Sequence, residues 1–392
     1  LKLHAEFTPE RDYILVKGHL ENLNKDDRAI ILDYRVNLPG KNKVFSNALS
    51  ESDDLVITDD GDEQEGSAFP MAALYTDNSA IAMAIPPYEP RSFGMVGSSK
   101  GLSVRFYLGI TPVTKNFPNK ASFSFISYPS RPGCGFRSAL AKYYSFYPYN
   151  YETDPDKKVG FYGYMIKGIV PENIDQYAYN IIEIQNPYVA EDLARDDKYD
   201  ITSYLYTLPG QREIKYLDEL PESYDEAMEI FAAWSLQDHR RTGQYTSPSL
   251  IPQPKEPASA GYDIWLREEV KSSACKDIDG NYVVIFRNTP WGKNSISFKS
   301  NPSPYLFEDK DEVMTIGKHS MKFVDEWLRR YPKLDGVKVD SIGANWPATL
   351  NFRKDHWKYA RYPLTFDPNG NLFLHNKIGH YEHIEYLRKK MD

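Results

Sequence analysis

The hydrophobic period of this chain changes once, and that change limits what it can fold into. Up to residue 130, apolar residues favour alternate positions in runs at 13–20, 29–36, 80–85, 102–110 and 121–128. Clusters of Pro, Gly, Asn and Asp separate these runs at the spacing of an antiparallel β-sandwich. At Gly135 the rhythm becomes helical. Phe136, Leu140, Tyr143 and Tyr144 lie on one face of an amphipathic helix, and Pro148 stops it.

Beyond residue 158 strands and helices alternate. Strands are expected at 159–167, 200–206, 281–286 and 336–340. Helices are expected from Ser223, where Glu226 completes a capping box, and over 319–330 and 381–391. Such alternation implies parallel strands in an α/β layer or a barrel. The expected organisation is a β-sandwich over 1–130, a linker helix over 131–157 and a (β/α) TIM-type barrel over 158–392. A complete barrel has eight strands in about 250 residues. Four are legible here, so the region reads either as the N-terminal part of a barrel or as a barrel with further strands inside its long insertions.

The stretch Leu334-Asp335-Gly336-Val337-Lys338-Val339-Asp340 reads as a short strand ending on a carboxylate. Chemistry in (β/α) barrels sits where strands run into their following loops. Asp340 is therefore the leading catalytic candidate, against an ordinary turn or helix-cap role. Glycosidic hydrolysis needs two carboxyls flanking one bond. Glu183 is the second candidate, because apolar neighbours would desolvate it. Its plainer reading is a solvent-facing position on an alternating strand. Arg287 and Asn288 follow the third expected strand, with Trp291 behind them. An Arg there can clamp a carboxylate or a sugar hydroxyl, or simply complete an ion pair. Asn345 and Trp346 follow Asp340, and an indole in such a loop offers a flat surface for a sugar ring. Arg353 and His356 share a helix face at i, i+3.

Composition narrows the class further. The 392 residues are 41% hydrophobic with a net charge of −8, and Lys and Arg are scattered. Nucleic acid is not an expected partner, because phosphate recognition needs a basic face. No apolar run approaches the roughly 18 residues of a membrane span. His380 and His383 lie at i, i+3 without an HExxH motif. Neither a phosphate-binding loop nor a GxSxG elbow is present. No metal and no cofactor are expected. Aromatics are abundant, with 30 Tyr, 19 Phe and 6 Trp, and every Trp follows residue 230.

This layout resembles glycoside hydrolases built from an N-terminal β-sandwich, a linker helix and a (β/α) barrel, as in the α-galactosidase-like enzymes. The resemblance rests on residues 335–340 and on the helix from Gly135-Phe136-Arg137 to Tyr143-Tyr144, with Phe146 and Pro148. It extends to Asn351-Phe352-Arg353 and Tyr362-Pro363-Leu364-Thr365-Phe366. It implies a carbohydrate-active enzyme with Asp340 as nucleophile or base, acting on an oligosaccharide or polysaccharide outside the cytoplasm. The later strands that would supply the general acid are not legible. A non-catalytic glycan-binding or structural surface protein on the same scaffold is the alternative.

Overall fold

The structure is a computed structural model. It describes residues 1–38, 43–48, 51–52, 64–65, 69–98, 100–152, 160–163, 176, 179–184, 189–214, 217–234, 268–289, 292–342 and 350–391. The chain forms two compact units, Leu1–Asp154 with Ala360–Phe373 and Pro155–Tyr359 with Leu374–Asp392.

The first unit is antiparallel β. Its strands are β1 (Lys2–Pro9), β2 (Ile14–Glu21), β3 (Arg28–Val36), β4 (Val44–Ser46), β5 (Glu51–Ser52), β6 (Gln64–Glu65), β7 (Met71–Tyr75), β8 (Ala80–Ala84), β9 (Phe93–Ser98), β10 (Gly101–Ile110) and β11 (Lys120–Pro129). One sheet has the order β1-β2-β11-β8-β7-β4-β5 and the other β3-β10-β9-β6. Alternate residues of both sheets form one core, including Val16, Phe45, Leu74, Met95, Val104, Phe106 and Phe125. The period of two places these side chains on one face of each strand.

The opposite face of the larger sheet carries helix α1 (Gly135–Phe146), followed by the single turn α2 (Pro148–Tyr151). Ala73, Ala82 and Ala84 are short enough to let Ala139, Tyr143 and Tyr147 approach, and Ile126 packs with them. The buried phenols have partners: Tyr128 donates to the Ala139 carbonyl at 3.0 Å and Tyr143 to the Ile85 carbonyl at 2.8 Å. A buried hydroxyl left without an acceptor would cost about 1–3 kcal/mol.

The second unit continues with β12 (Phe161–Gly163), β13 (Tyr179–Ile184), α3 (Val189–Lys198), β14 (Thr202–Thr207), β15 (Gln211–Ile214), α4 (Tyr224–Trp234), β16 (Val284–Thr289), β17 (Gly292–Lys299), α5 (Ile316–Arg330), β18 (Gly336–Val339), β19 (Leu350–Asn351) and α6 (Lys354–Trp357). Then come β20 (Thr365–Phe366), which belongs to the first unit, β21 (Leu372–His375) and α7 (Asn376–Met391). Strands β12-β13-β14-β18 form a parallel sheet in that order. One face is apolar: Ile184, Leu205, Val337 and Val339 pack with Leu193 of α3, Met321, Val324 and Trp327 of α5, and Leu387 of α7. Thr315 caps α5 by accepting from the Lys318 N–H at 3.1 Å. The Asp335 carboxylate accepts from the Ser203 N–H at 2.7 Å, pinning β18 to β14 at the sheet's entry. Gly336 is required there, because a Cβ would lie 2.8 Å from the Tyr204 ring.

The expected (β/α) barrel is not what forms. Among the described residues the parallel sheet has four strands and stays open, with β12 and β18 each paired on one side. The expected third barrel strand, around 281–286, belongs instead to an antiparallel sheet of order β15-β17-β16. Its physical signature is the hairpin: Thr289 pairs with Gly292, and so tight a return can only reverse the strand. In the alternation Ser295-Ile296-Ser297-Phe298 both faces are buried: Ile296 and Phe298 pack on Ala227 and Phe231 of α4 and on Val270 and Ala274, and the serines line the buried polar face.

Candidate active site

Residues paired across parallel strands point to the same face. Glu183 pairs with Tyr204, and Tyr206 with Lys338. Glu183, Tyr206 and Lys338 therefore occupy the face opposite the apolar core, and Asp340 follows two residues beyond Lys338. The Asp340 N–H donates to the Thr207 carbonyl at 2.9 Å, so the pairing continues past the end of β18. At this C-terminal edge the side chains form a chain of contacts. Lys338 Nζ donates to Glu183 Oε2 at 2.5 Å and lies 5.4 Å from the centre of the Tyr206 ring. Tyr206 Oη donates to Asp340 Oδ2 at 2.5 Å. The other carboxylate oxygen, Oδ1, accepts from the Ser341 N–H at 2.6 Å.

Asp340 is thus held by a donor on each oxygen, which fixes its orientation. It remains half-buried, while Ser341 is exposed. Ser341 has φ 57°, the left-handed region that costs a non-glycine residue of order 1 kcal/mol. Glu183 is buried at 3% exposure rather than facing solvent. Lys338 supplies the counter-charge that makes this burial tolerable.

Arg287 and Asn288 sit on the antiparallel hairpin. Arg287 Nη2 meets Glu213 Oε1 at 2.5 Å, Gln211 Oε1 at 2.7 Å and Ser297 Oγ at 2.9 Å. Lys299 Nζ donates to the same Gln211 oxygen at 3.0 Å. Burial, reinforced by Arg287, brings the Lys299 ammonium down to about 8. The residues 208–210 carry the chain directly from the Tyr206 strand to Gln211. The His380 ring packs on Gly210, where a Cβ would stand 2.3 Å from Nε2. Elsewhere in the unit Glu269 is fully buried between Arg212, at 2.8 Å, and His319. Burial raises its carboxyl, but Arg212 and His319 outweigh it and hold it low.

Arg353 and His356 come together, but their polar atoms are taken up by structural partners: Arg353 Nε and Nη2 donate to the Asp355 carboxylate at 3.1 and 2.6 Å. Arg353 Nη1 donates to the Lys271 and Ala274 carbonyls at 2.8 and 3.0 Å. His356 is buried, with Nε2 2.8 Å from the Ser272 carbonyl and Nδ1 2.9 Å from Asn351 Nδ2. Both bonds are satisfied by the tautomer protonated at Nε2. Burial, with Arg353 beside it, brings this imidazole down to about 3. Trp291, Asn345 and Trp346 lie outside the described residues. Sequence reasoning missed Tyr206 and Lys338 as members of the Asp340 cluster. Their signal was phase: each is two residues from another polar residue on the same strand face, Tyr204 and Asp340. Among the described residues, the His, Cys, Asp and Glu group close enough to share a metal ion lies in the first unit.

No family profile and no curated protein matches the chain. Two solved structures share limited similarity. The Slr1438 protein from Synechocystis sp. PCC 6803 is 8% identical over 32% of this chain, with a TM-score of 0.21. This chain spans 54% of that structure's length. A ligand-free alpha-N-acetylgalactosaminidase from Bifidobacterium bifidum is 8% identical, covering 100% of this chain and 68% of its own, with a TM-score of 0.37.

Proposed function

We propose that the second unit is a carbohydrate-active module acting on glycosidic bonds at the C-terminal edge of its parallel sheet. Asp340 serves as nucleophile or general base, on an oligosaccharide or polysaccharide outside the cytoplasm. The observation that carries this reading is the fixed, half-buried Asp340 carboxylate. It stands at a parallel-strand end, where open α/β sheets place their ligands. Tyr206 and the Ser341 N–H hold one rotamer, so the carboxylate needs no reorganisation before attacking an anomeric carbon or activating a water.

A second reading, glycan binding without hydrolysis, is favoured by the Lys338–Glu183 pair. Lys338 Nζ engages Glu183 Oε2 at 2.5 Å and the Glu183 side chain is buried, so this carboxyl is not presented to a leaving group. Glu183 then organises the cleft rather than protonating a leaving group.

The experiment is a screen of the protein against aryl glycosides and polysaccharides, following aryl alcohol and reducing-end release in wild type and Asp340→Asn. Turnover that disappears in the variant supports hydrolysis. Saturable oligosaccharide binding without turnover supports the second reading. No binding and no turnover across the panel contradicts both.

A further inference from the structure

The first unit carries a donor set with no part in the Asp340 cluster. His4 on β1 stands directly opposite His19 on β2. Their rings stack with centroids 4.6 Å apart and planes 17° from parallel. Glu21 follows His19 by two residues, so it projects from the same face. One ligating atom from each of His4, His19 and Glu21 lies within 4.8 Å of the other two. All three are half-buried.

We propose that His4, His19 and Glu21 form a binding site for a divalent transition-metal cation such as Zn2+. Two imidazoles and one carboxylate are a recurrent zinc donor set, with a fourth position left to water. Ligands on one tetrahedral ion stand roughly 3.4 Å apart, so small side-chain rotations close the site. The scaffold is rigid where it matters, because β2 is paired on both sides, with β1 and β11. A cross-strand imidazole pair alone is ordinary sheet packing. The adjoining carboxylate turns it into a three-point chelate.

The surrounding charges set the terms of binding. Lys2 and Lys120 both stand opposite Glu21, and Lys120 Nζ lies 3.7 Å from Glu21 Oε1. Lys17 and Glu6 face each other one pair further along, and Ser122 lies opposite His19 on β11. A bound dication replaces the Lys120 ammonium as the partner of Glu21. The site was invisible as a motif because fourteen intervening residues and a turn separate the two histidines.

The test is titration of the full chain with Zn2+ alone by calorimetry and with Co2+ alone by visible absorption. One ion per chain is expected, with a visible band for bound Co2+ and a rise in the thermal midpoint. His19→Ala and His4→Ala should each weaken binding by at least about tenfold, the lower range for disturbing even outer-shell partners. Glu21→Gln should weaken it and alter the Co2+ spectrum. Lys120→Gln should tighten it by removing the competing cation. Unchanged circular dichroism shows that the variants fold. The proposal is overturned if wild type takes up no Zn2+, or if His19→Ala binds with wild-type affinity and spectrum.

Discussion

Tyr206 and Asp340 are 134 residues apart in sequence and joined by a 2.5 Å hydrogen bond across neighbouring parallel strands. The phenol gives the carboxylate one orientation, and the sheet gives the phenol its position. Tyr206→Phe removes the hydroxyl and keeps the ring that covers Lys338. Loss of a hydrogen bond to a charged group costs about 1.5–3 kcal/mol. If the bond acts in the transition state, kcat should fall about ten- to hundredfold. Steady-state kinetics on an aryl glycoside, beside an unfolding curve close to wild type, checks this.

The Lys338–Glu183 pair predicts an asymmetric mutational response. The Glu183 side chain is fully buried, and Lys338 is 29% exposed. Lys338→Met leaves a carboxylate buried without its counter-charge, and such loss costs about 3–5 kcal/mol. Partial exposure of the lysine puts the expected value at the low end. Glu183→Gln combined with Lys338→Met should recover most of the loss. Urea denaturation of the two single variants and the double variant measures the coupling.

Gly210 and His380 should behave as a lock. A Cβ at 210 would stand 2.3 Å from His380 Nε2, well inside van der Waals contact. Gly210→Ala should destabilise the second unit by about 1–3 kcal/mol, the usual cost of overpacking. The same substitution in a His380→Ala background should cost much less. A double-mutant cycle by thermal unfolding reads the difference.

Acid should destabilise the second unit through its buried imidazoles. Burial brings His380 and His383 down to about 4, and His356 to about 3. In the unfolded chain each titrates near 6.5. Between pH 6.5 and 4 the unfolded state therefore binds more protons, and stability falls as pH falls. The neutral rings contribute fully above pH 6.5, and that contribution is lost on acidification through the folded values. His383→Asn should flatten the curve in that window. Unfolding free energy measured from pH 8 to 4 in both proteins checks the sign.

Local pattern carried the first unit. Val104, Phe106 and Leu108 alternate with more polar residues and are buried, as the period requires. The α1 face was legible in Tyr143, which is buried, and in Phe136, Leu140 and Tyr144, which are half-buried, whereas the fully buried Ala139 was not singled out. In the second unit the strands near 161, 202 and 336 were readable, but the antiparallel pairing of the run near 284 was not. Val284 and Phe286 form an apolar run that fits a barrel strand as well as a hairpin, and the pairing partner decides between them. The Ser295-Ile296-Ser297-Phe298 alternation held that information and marks the antiparallel sheet. The site was half legible for the same reason. Asp340 stands out at a strand end, whereas Tyr206 and Lys338 acquire a role only through the register that pairs them. The ion pair that occupies Glu183 depends on the order of β13, β14 and β18, which no single segment encodes.

The central claim is that Asp340 performs the chemistry. Its most direct test is turnover of Asp340→Asn beside wild type on the best glycoside from the screen, with both proteins shown to be folded. The substitution keeps the shape and the acceptor for Tyr206 but removes the carboxylate. The account predicts a fall in kcat of at least about a hundredfold, with an unfolding midpoint near that of wild type. Near-normal turnover in the folded variant would contradict it.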